Sequence, residues 1–225
     1  MLFDLRSRGR RRTVQAVYLG LALLMGGGLV LFGVGAGNGF GGILNAFTGT
    51  GSSGAQKQVV NQQEAQALQQ TKLEPNNPQA WANLLQARWT TAGQGSNFNS
   101  GTGTFTTSGK QELTGATQAW QRYLQLVKSP DPSLSILAAR AYTALGNYAE
   151  GANAWEYETL ASPTESKAYE CLAVTAYAAN QTRKGDLASA KALTLIPKAQ
   201  QTTIKQSLQQ AAKSSSSAQQ LAGQC

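Results

Sequence analysis

Hydrophobic and polar positions fall into three textures along the chain. Val14 to Ala36 (VQAVYLGLALLMGGGLVLFGVGA) is a 23-residue run in which only Gln15 and Tyr18 carry clearly polar side chains. At 1.5 Å of rise per residue this makes about 34 Å of helix, enough to cross a hydrocarbon core of about 30 Å. The pattern predicts a transmembrane helix over 13–36. Glycine then dominates, and 37–54 reads as a Gly-rich linker. Within it Phe40, Ile43, Leu44 and Phe47 keep the i, i+3, i+4, i+7 spacing of one apolar helical face. From residue 55 onward Ala, Gln and Leu alternate with aromatic residues at helical spacing. This predicts an all-α domain over 55–213, followed by a flexible serine-rich tail over 214–225.

Charge adds a direction to this plan. The chain holds 19 Lys and Arg against 11 Asp and Glu, a net of +8. Half of that excess lies in residues 1–12, where Arg6, Arg8, Arg10, Arg11 and Arg12 face only Asp4, and no charge occurs between Thr13 and Gln56. Arginines directly before an apolar span mark its cytoplasmic end. Residues 1–12 are therefore expected to be a basic cytoplasmic tail, with the C-terminal domain extracytoplasmic and the protein a single-pass component of the cell membrane. A cleaved signal peptide shares these features, and Val34-Gly35-Ala36 offers the small residues a signal peptidase reads. The apolar run exceeds the usual core of such peptides, which favours the anchor. No aromatic or polar binding surface accompanies the arginines, so nucleic acid is not an expected partner; anionic lipid head groups are. Gly33, Gly37 and Gly41 repeat at the four-residue spacing that lets a second membrane helix approach closely. The plainer alternative is a glycine-rich exit from the span.

The helical domain has a period. Pro163 and Pro197 lie 34 residues apart. Between Pro132 and Glu165 the chain reads PSLSILAARAYTALGNYAEGANAWEYETLASPTE, with Tyr142, Gly146, Tyr148, Glu150, Trp155 and Pro163 at repeat positions. Ser166 to Ala199 is a degenerate copy that keeps Tyr169, Leu172, Ala192 and Pro197 but has Asn180 in place of the glycine. Upstream, Leu73 to Trp81 (LEPNNPQAW) has the look of a junction between repeats, with Pro78 where a first-turn proline costs nothing. A first helix over Gln79–Thr91 would expose Trp81, Leu84, Leu85 and Trp89 for packing. Its partner, from Lys110 to near Pro130, would use Leu113, Ala116, Trp120, Tyr123, Leu124 and Val127. A 17-residue Gly, Ser and Thr insertion at 93–109 separates them. Ala55–Leu73 reads as an orphan helix and Ala199–Lys213 as a capping helix.

In these residues the chain resembles the tetratricopeptide repeat family, most clearly in the middle block. The resemblance implies a short helical solenoid in which stacked helix pairs supply one another's core. It also implies binding of protein or peptide segments on the face formed by the first helix of each pair. Asn83, Arg88, Arg140, Lys167 and Glu170 are candidate contacts on first helices, though an ordinary solvated position is the simpler reading of each. Phe98 and Phe105 are isolated apolar residues in a loop long enough to be either functional or disordered. The architecture is similar to that of bacterial membrane-anchored tetratricopeptide proteins, among them the ancillary subunit of the secretion translocon. By analogy it points to a scaffold in the bacterial cell envelope, with translocon, chaperone or exported client proteins as partners.

Chemistry is scarce. There is no histidine, which removes the usual nucleophile activation and the imidazole metal ligands. Glu156 and Glu158, two apart, fall on different sides of a helix. No phosphate-cradling GxxxxGK[ST] segment occurs. An enzyme is not expected, nor a cofactor, a metal or a small-molecule substrate. Asn180-Gln181-Thr182 meets the glycosylation pattern, which is short enough to arise by chance. Cys171 and Cys225 would suit one disulfide in an extracytoplasmic domain; the alternative is a buried Cys171 and a free Cys225.

Overall fold

The computed structural model describes residues 53–225. Lys57–Cys225 forms one compact unit, and the architecture below is that of this unit and the helix that leads into it. The arginines of 1–12, the expected span and Gly33, Gly37 and Gly41 lie outside the described residues. Among those described, no helix is long and apolar enough to cross a membrane.

The unit is all-helical, with one small hairpin. In chain order the helices are α1 (Ser53–Leu73), α2 (Pro78–Ala92), α3 (Thr107–Leu126), α4 (Pro132–Ala144), α5 (Tyr148–Ala161), α6 (Ser166–Ala178), α7 (Thr182–Leu195), α8 (Lys198–Lys213) and α9 (Ser215–Ala222). Strands β1 (Phe98–Asn99) and β2 (Thr104–Phe105) interrupt the α2–α3 connection. Helix starts follow local chemistry. Asn77 and Asp131 each accept a backbone N–H two residues on, at 3.0 and 2.7 Å, and each precedes a proline at the first helical position.

Three helix pairs, α2/α3, α4/α5 and α6/α7, pack in succession, and α2 also touches α4. The 34-residue period is visible in the backbone. Gly146 and Asn180 occupy the same left-handed turn position, with φ of 79° and 58°. In both turns an amide closes back at 2.8 Å, Asn147 onto the Tyr142 carbonyl and Gln181 onto that of Ala176. Asparagine is the side chain that best replaces glycine there, so the degenerate copy keeps the turn. Each pair also brings a glycine of its second helix against the first helix: Gly115 on Arg88, Gly151 on Thr143, Gly185 on Tyr177.

The core runs through all three pairs, with Leu84, Leu85, Trp120, Leu134, Tyr142, Trp155 and Leu172 buried. Trp120 stacks on Tyr123 at 5.6 Å and meets Tyr157 edge-on at 5.9 Å. These rings stabilise by area burial and by quadrupole geometry together. Helix α6 is distinctive, because Cys171 to Ala178 are buried without a break. α5 and α7 pack on it, and so do α8 and α9.

Two expectations change. The insertion at 93–109, left open between a functional and a disordered loop, is ordered, and α3 begins at Thr107, earlier than expected. The tail expected to be flexible at 214–225 forms α9, with Ala218 and Ala222 buried. Its serines cap the helix, since Ser214 Oγ accepts from the Ser217 amide at 3.3 Å.

One titration follows from the α6/α7 contact. The Tyr177 hydroxyl donates to Asp186 Oδ1 at 2.9 Å. Burial, that hydrogen bond and the neighbouring carboxylate charge push the phenol up from 10.0 to about 12. The folded state therefore holds this proton more tightly than the unfolded chain. Its contribution to stability is complete below pH 10 and is lost as the pH climbs toward 12. Denaturant unfolding between pH 9 and pH 11 should show a larger loss for the natural chain than for Tyr177→Phe; equal losses would remove Tyr177 as the cause.

Candidate functional site

The first-helix face of the three pairs is partly covered by the chain's own end. Ser215 Oγ donates to Asn180 Oδ1 at 3.3 Å just beyond α6, while Cys225 is disulfide-bonded to Cys171 in the middle of α6. The segment 215–225 thus runs antiparallel to α6 and lies along it. The cysteines are 54 residues apart in sequence with Cα atoms at 5.6 Å. In the chain-entropy account a loop of that size contributes about 4 kcal/mol. Arg140 of α4 adds a second clasp, its Nε donating to the Cys225 carbonyl oxygen at 2.7 Å.

On either side of this pinned end lies an opening. The larger, about 550 Å³, is bounded by Trp89 of α2, Thr104 and Phe105 of β2, Lys110 of α3, Arg140 of α4 and Gln224 of the tail. The smaller, about 200 Å³, is bounded by Lys167, Glu170 and Val174 of α6, Leu208 of α8, and Leu221 and Gln224. The larger falls within the size range of protein ligand sites.

The hairpin wall is built by local hydrogen bonding. Phe98 pairs with Phe105 and Asn99 with Thr104 in antiparallel register. Asn99 Oδ1 accepts the amides of Gly101 and Thr102 at 3.0 and 3.3 Å, and Gly103 completes the loop with φ of 68°. The base is tied down twice. Asn97 Nδ2 donates to the Thr91 carbonyl at 3.0 Å, and Thr106 Oγ1 donates to the Ser96 and Asn97 carbonyls at 2.9 and 3.1 Å. A methyl on Gly109 would strike the Asn97 carbonyl, so glycine lets the strand base and α3 meet. The rings finish the wall: Phe98 meets Phe105 edge-on at 5.1 Å, and Phe105 tilts against Trp89 at 6.2 Å.

The structure thus separates the candidate contacts. Phe105 and Arg140 line the larger cleft, Lys167 and Glu170 the smaller, and Phe98 supports Phe105 from behind. Lys167 Nζ lies 3.9 Å from Glu170 Oε2, and burial raises the Glu170 carboxyl above its ordinary range. Asn83 and Arg88 are engaged elsewhere. Asn83 donates to Gln70 of α1 at 3.3 Å, and Arg88 lies between Glu64 of α1 at 3.8 Å and Glu112 of α3 at 3.6 Å. Burial and the nearby Glu64 carboxylate raise the Glu112 pKa against the opposing pull of Arg88. That cluster joins helices and faces neither cleft.

Sequence reasoning missed Lys110, Trp89 and the tail as parts of the cleft. From its spacing Trp89 reads as a packing residue first and a ligand-stacking ring second. The Ala218, Leu221, Ala222 spacing ending in a cysteine was the available signal for the tail. No family model, no curated protein and no solved structure matches this chain.

Lys213 is exposed at the junction of α8 and α9, which provides a direct check on the pinned end. Trypsin cutting after Lys213 should leave residues 214–225 attached to the chain on a non-reducing gel and release them on reduction. Release without reductant would contradict the Cys171–Cys225 link.

Proposed function

We propose that this protein is a membrane-anchored scaffold of the tetratricopeptide type that holds segments of other proteins in its first-helix groove on the extracytoplasmic side. It performs no catalysis in this reading. The observation that carries it is the 550 Å³ cleft, which gathers side chains from four successive helices, α2 to α5, with the hairpin and the tail, around three aromatic rings and two cations. Support for the repeat type comes from the equivalence of the Gly146 and Asn180 turns, 34 residues apart in sequence. Extracytoplasmic placement draws support from the Cys171–Cys225 disulfide, since such bonds persist in oxidising compartments. It also rests on the arginines ahead of the apolar segment. The clients would be exported or envelope proteins, with a secretion channel or chaperone as neighbour.

A photoreactive residue in place of Thr104, on the cleft rim, should crosslink to envelope proteins in intact cells. The same residue in place of Lys205, exposed on α8, should not. Absence of any protein crosslink from Thr104 would sink the binding role. A second reading, a structural subunit packed through its glycine-rich span, is favoured by the spacing of Gly33, Gly37 and Gly41. It requires that Gly33→Leu with Gly37→Leu abolish recovery of partners in mild detergent, whereas the cleft reading requires that recovery survive.

A further inference from the structure

We propose that the hollow between α5, α6 and α7 docks on an anionic lipid surface; the inference rests on the membrane-anchored reading above and adds the face that the domain turns to the bilayer. The hollow measures about 510 Å³ and is lined by Glu156 of α5, Tyr169 and Leu172 of α6, and Arg183, Lys184 and Leu187 of α7. Its apolar rim is open to solvent. Leu187 is 66% exposed, and Leu160, which directly follows the Thr159 carbonyl that accepts from the Tyr169 hydroxyl at 3.4 Å, is 77% exposed. Among the described residues only three large apolar side chains stand out this far, and two of them are here. One turn beyond Leu187, Lys191 places its Nζ 5.9 Å from the centre of the Tyr169 ring. By helical spacing Tyr169 and Leu172 lie on the side of α6 opposite Lys167, Glu170 and Val174, which line the smaller cleft. A bilayer against the hollow therefore leaves the pinned tail turned away from lipid.

Charge is unevenly divided along the domain, and the excess lies in α7 and α8. From Thr182 to Lys213 six Lys and Arg meet one Asp, a net of +5, whereas residues 53–181 hold eight Lys and Arg against nine Asp and Glu. Within the hollow Lys184 is matched by Glu156 at 2.9 Å, and Asp186 accepts from the Tyr177 hydroxyl. That leaves Arg183 and Lys191, both exposed, four residues to either side of Leu187 on one face of α7. Cations flanking leucine and tyrosine suit a head-group layer: the leucines enter the acyl boundary, the ring sits at head-group depth, and the long side chains reach phosphate. The length of chain ahead of the domain favours lipid over a protein as the occupant. The apolar run ends at Ala36, sixteen residues before Ser53, and that many extended residues span about 55 Å at most. In the anchored reading the hollow is thus held within reach of phosphate, whereas a protein partner would have to be recruited.

The test places the full chain in phosphatidylcholine vesicles containing about a third phosphatidylglycerol, with a lipid spin-labelled near its head group as quencher. An environment-sensitive fluorescent amino acid replaces Leu187 or, as reference, Thr104 on the rim of the larger cleft. Quenching should be about fivefold stronger at 187 than at 104. Vesicles of phosphatidylcholine alone, added salt, and the double variant Arg183→Glu with Lys191→Glu should each remove at least half of that difference. The change of lipid leaves the chain unaltered, so the charge dependence is decided even if the double variant fails to fold. Equal quenching at the two positions, or a difference that survives removal of phosphatidylglycerol, overturns the proposal. So does a photocrosslinker at 187 that captures protein and not lipid in intact cells. A chain that floats with the vesicles but shows no quenching at 187 overturns the docking and leaves the anchored reading intact, whereas a chain that fails to float overturns both.

Discussion

From Cys171 to Ala178 helix α6 is buried all the way round, and that requirement organises the domain. A two-layer stack of helix pairs normally leaves one face of each first helix open to solvent. Here Cys171 to Ala178 have no open face, so something must cover the side that α5 and α7 do not. The cover is α9, backed by α8. Alanine makes the contact close. Ala218 and Ala222 of α9 are buried, and small side chains let two helices approach without the interdigitation that leucine would require. The disulfide fixes the pairing by removing the entropy the unfolded chain would gain at this point.

Covering α6 has a consequence at the other end of the groove. The chain that shields α6 ends against α4, where Arg140 holds the Cys225 carbonyl. It thereby becomes a wall of the space left open over α2 and α4. The opposite wall is the hairpin, an insertion between the two helices of the first pair. A groove that would otherwise run the length of the stack is closed over the third pair and deepened beside the first two. Structural support and site construction are here the same set of contacts, so a change that loosens α9 acts on both.

Much of this architecture could be read from residue spacing. The proline and aromatic period anticipated the helix pairs, and Asn77-Pro78 marked a helix start to within a residue or two. The all-α class followed from the same pattern. Phe105 and Arg140 were selected as candidates and lie in the cleft, whereas Asn83 and Arg88 lie against α1 and α3. That difference is tertiary: which side of α2 receives α1 depends on packing that periodicity along one helix does not record. The tail was misread because a contact made by alanine and capped by serine looks like low complexity when judged by hydrophobicity. The hairpin was equally hidden, since its order comes from Asn97, Asn99 and Thr106 hydrogen-bonding to backbone groups, with only two ring contacts to announce it.

The central claim is that α9, pinned by the disulfide, is a structural cover for α6 and a wall of the cleft. Amide hydrogen exchange on the full chain, oxidised and reduced, addresses it most directly. In the oxidised chain the amides of Ala218 to Ala222 should exchange slowly, together with those of Cys171 to Ala178, and reduction should accelerate both segments and the Arg140 region of α4. Exchange of the α9 amides at unstructured rates in the oxidised chain, with α6 still protected, would contradict the account.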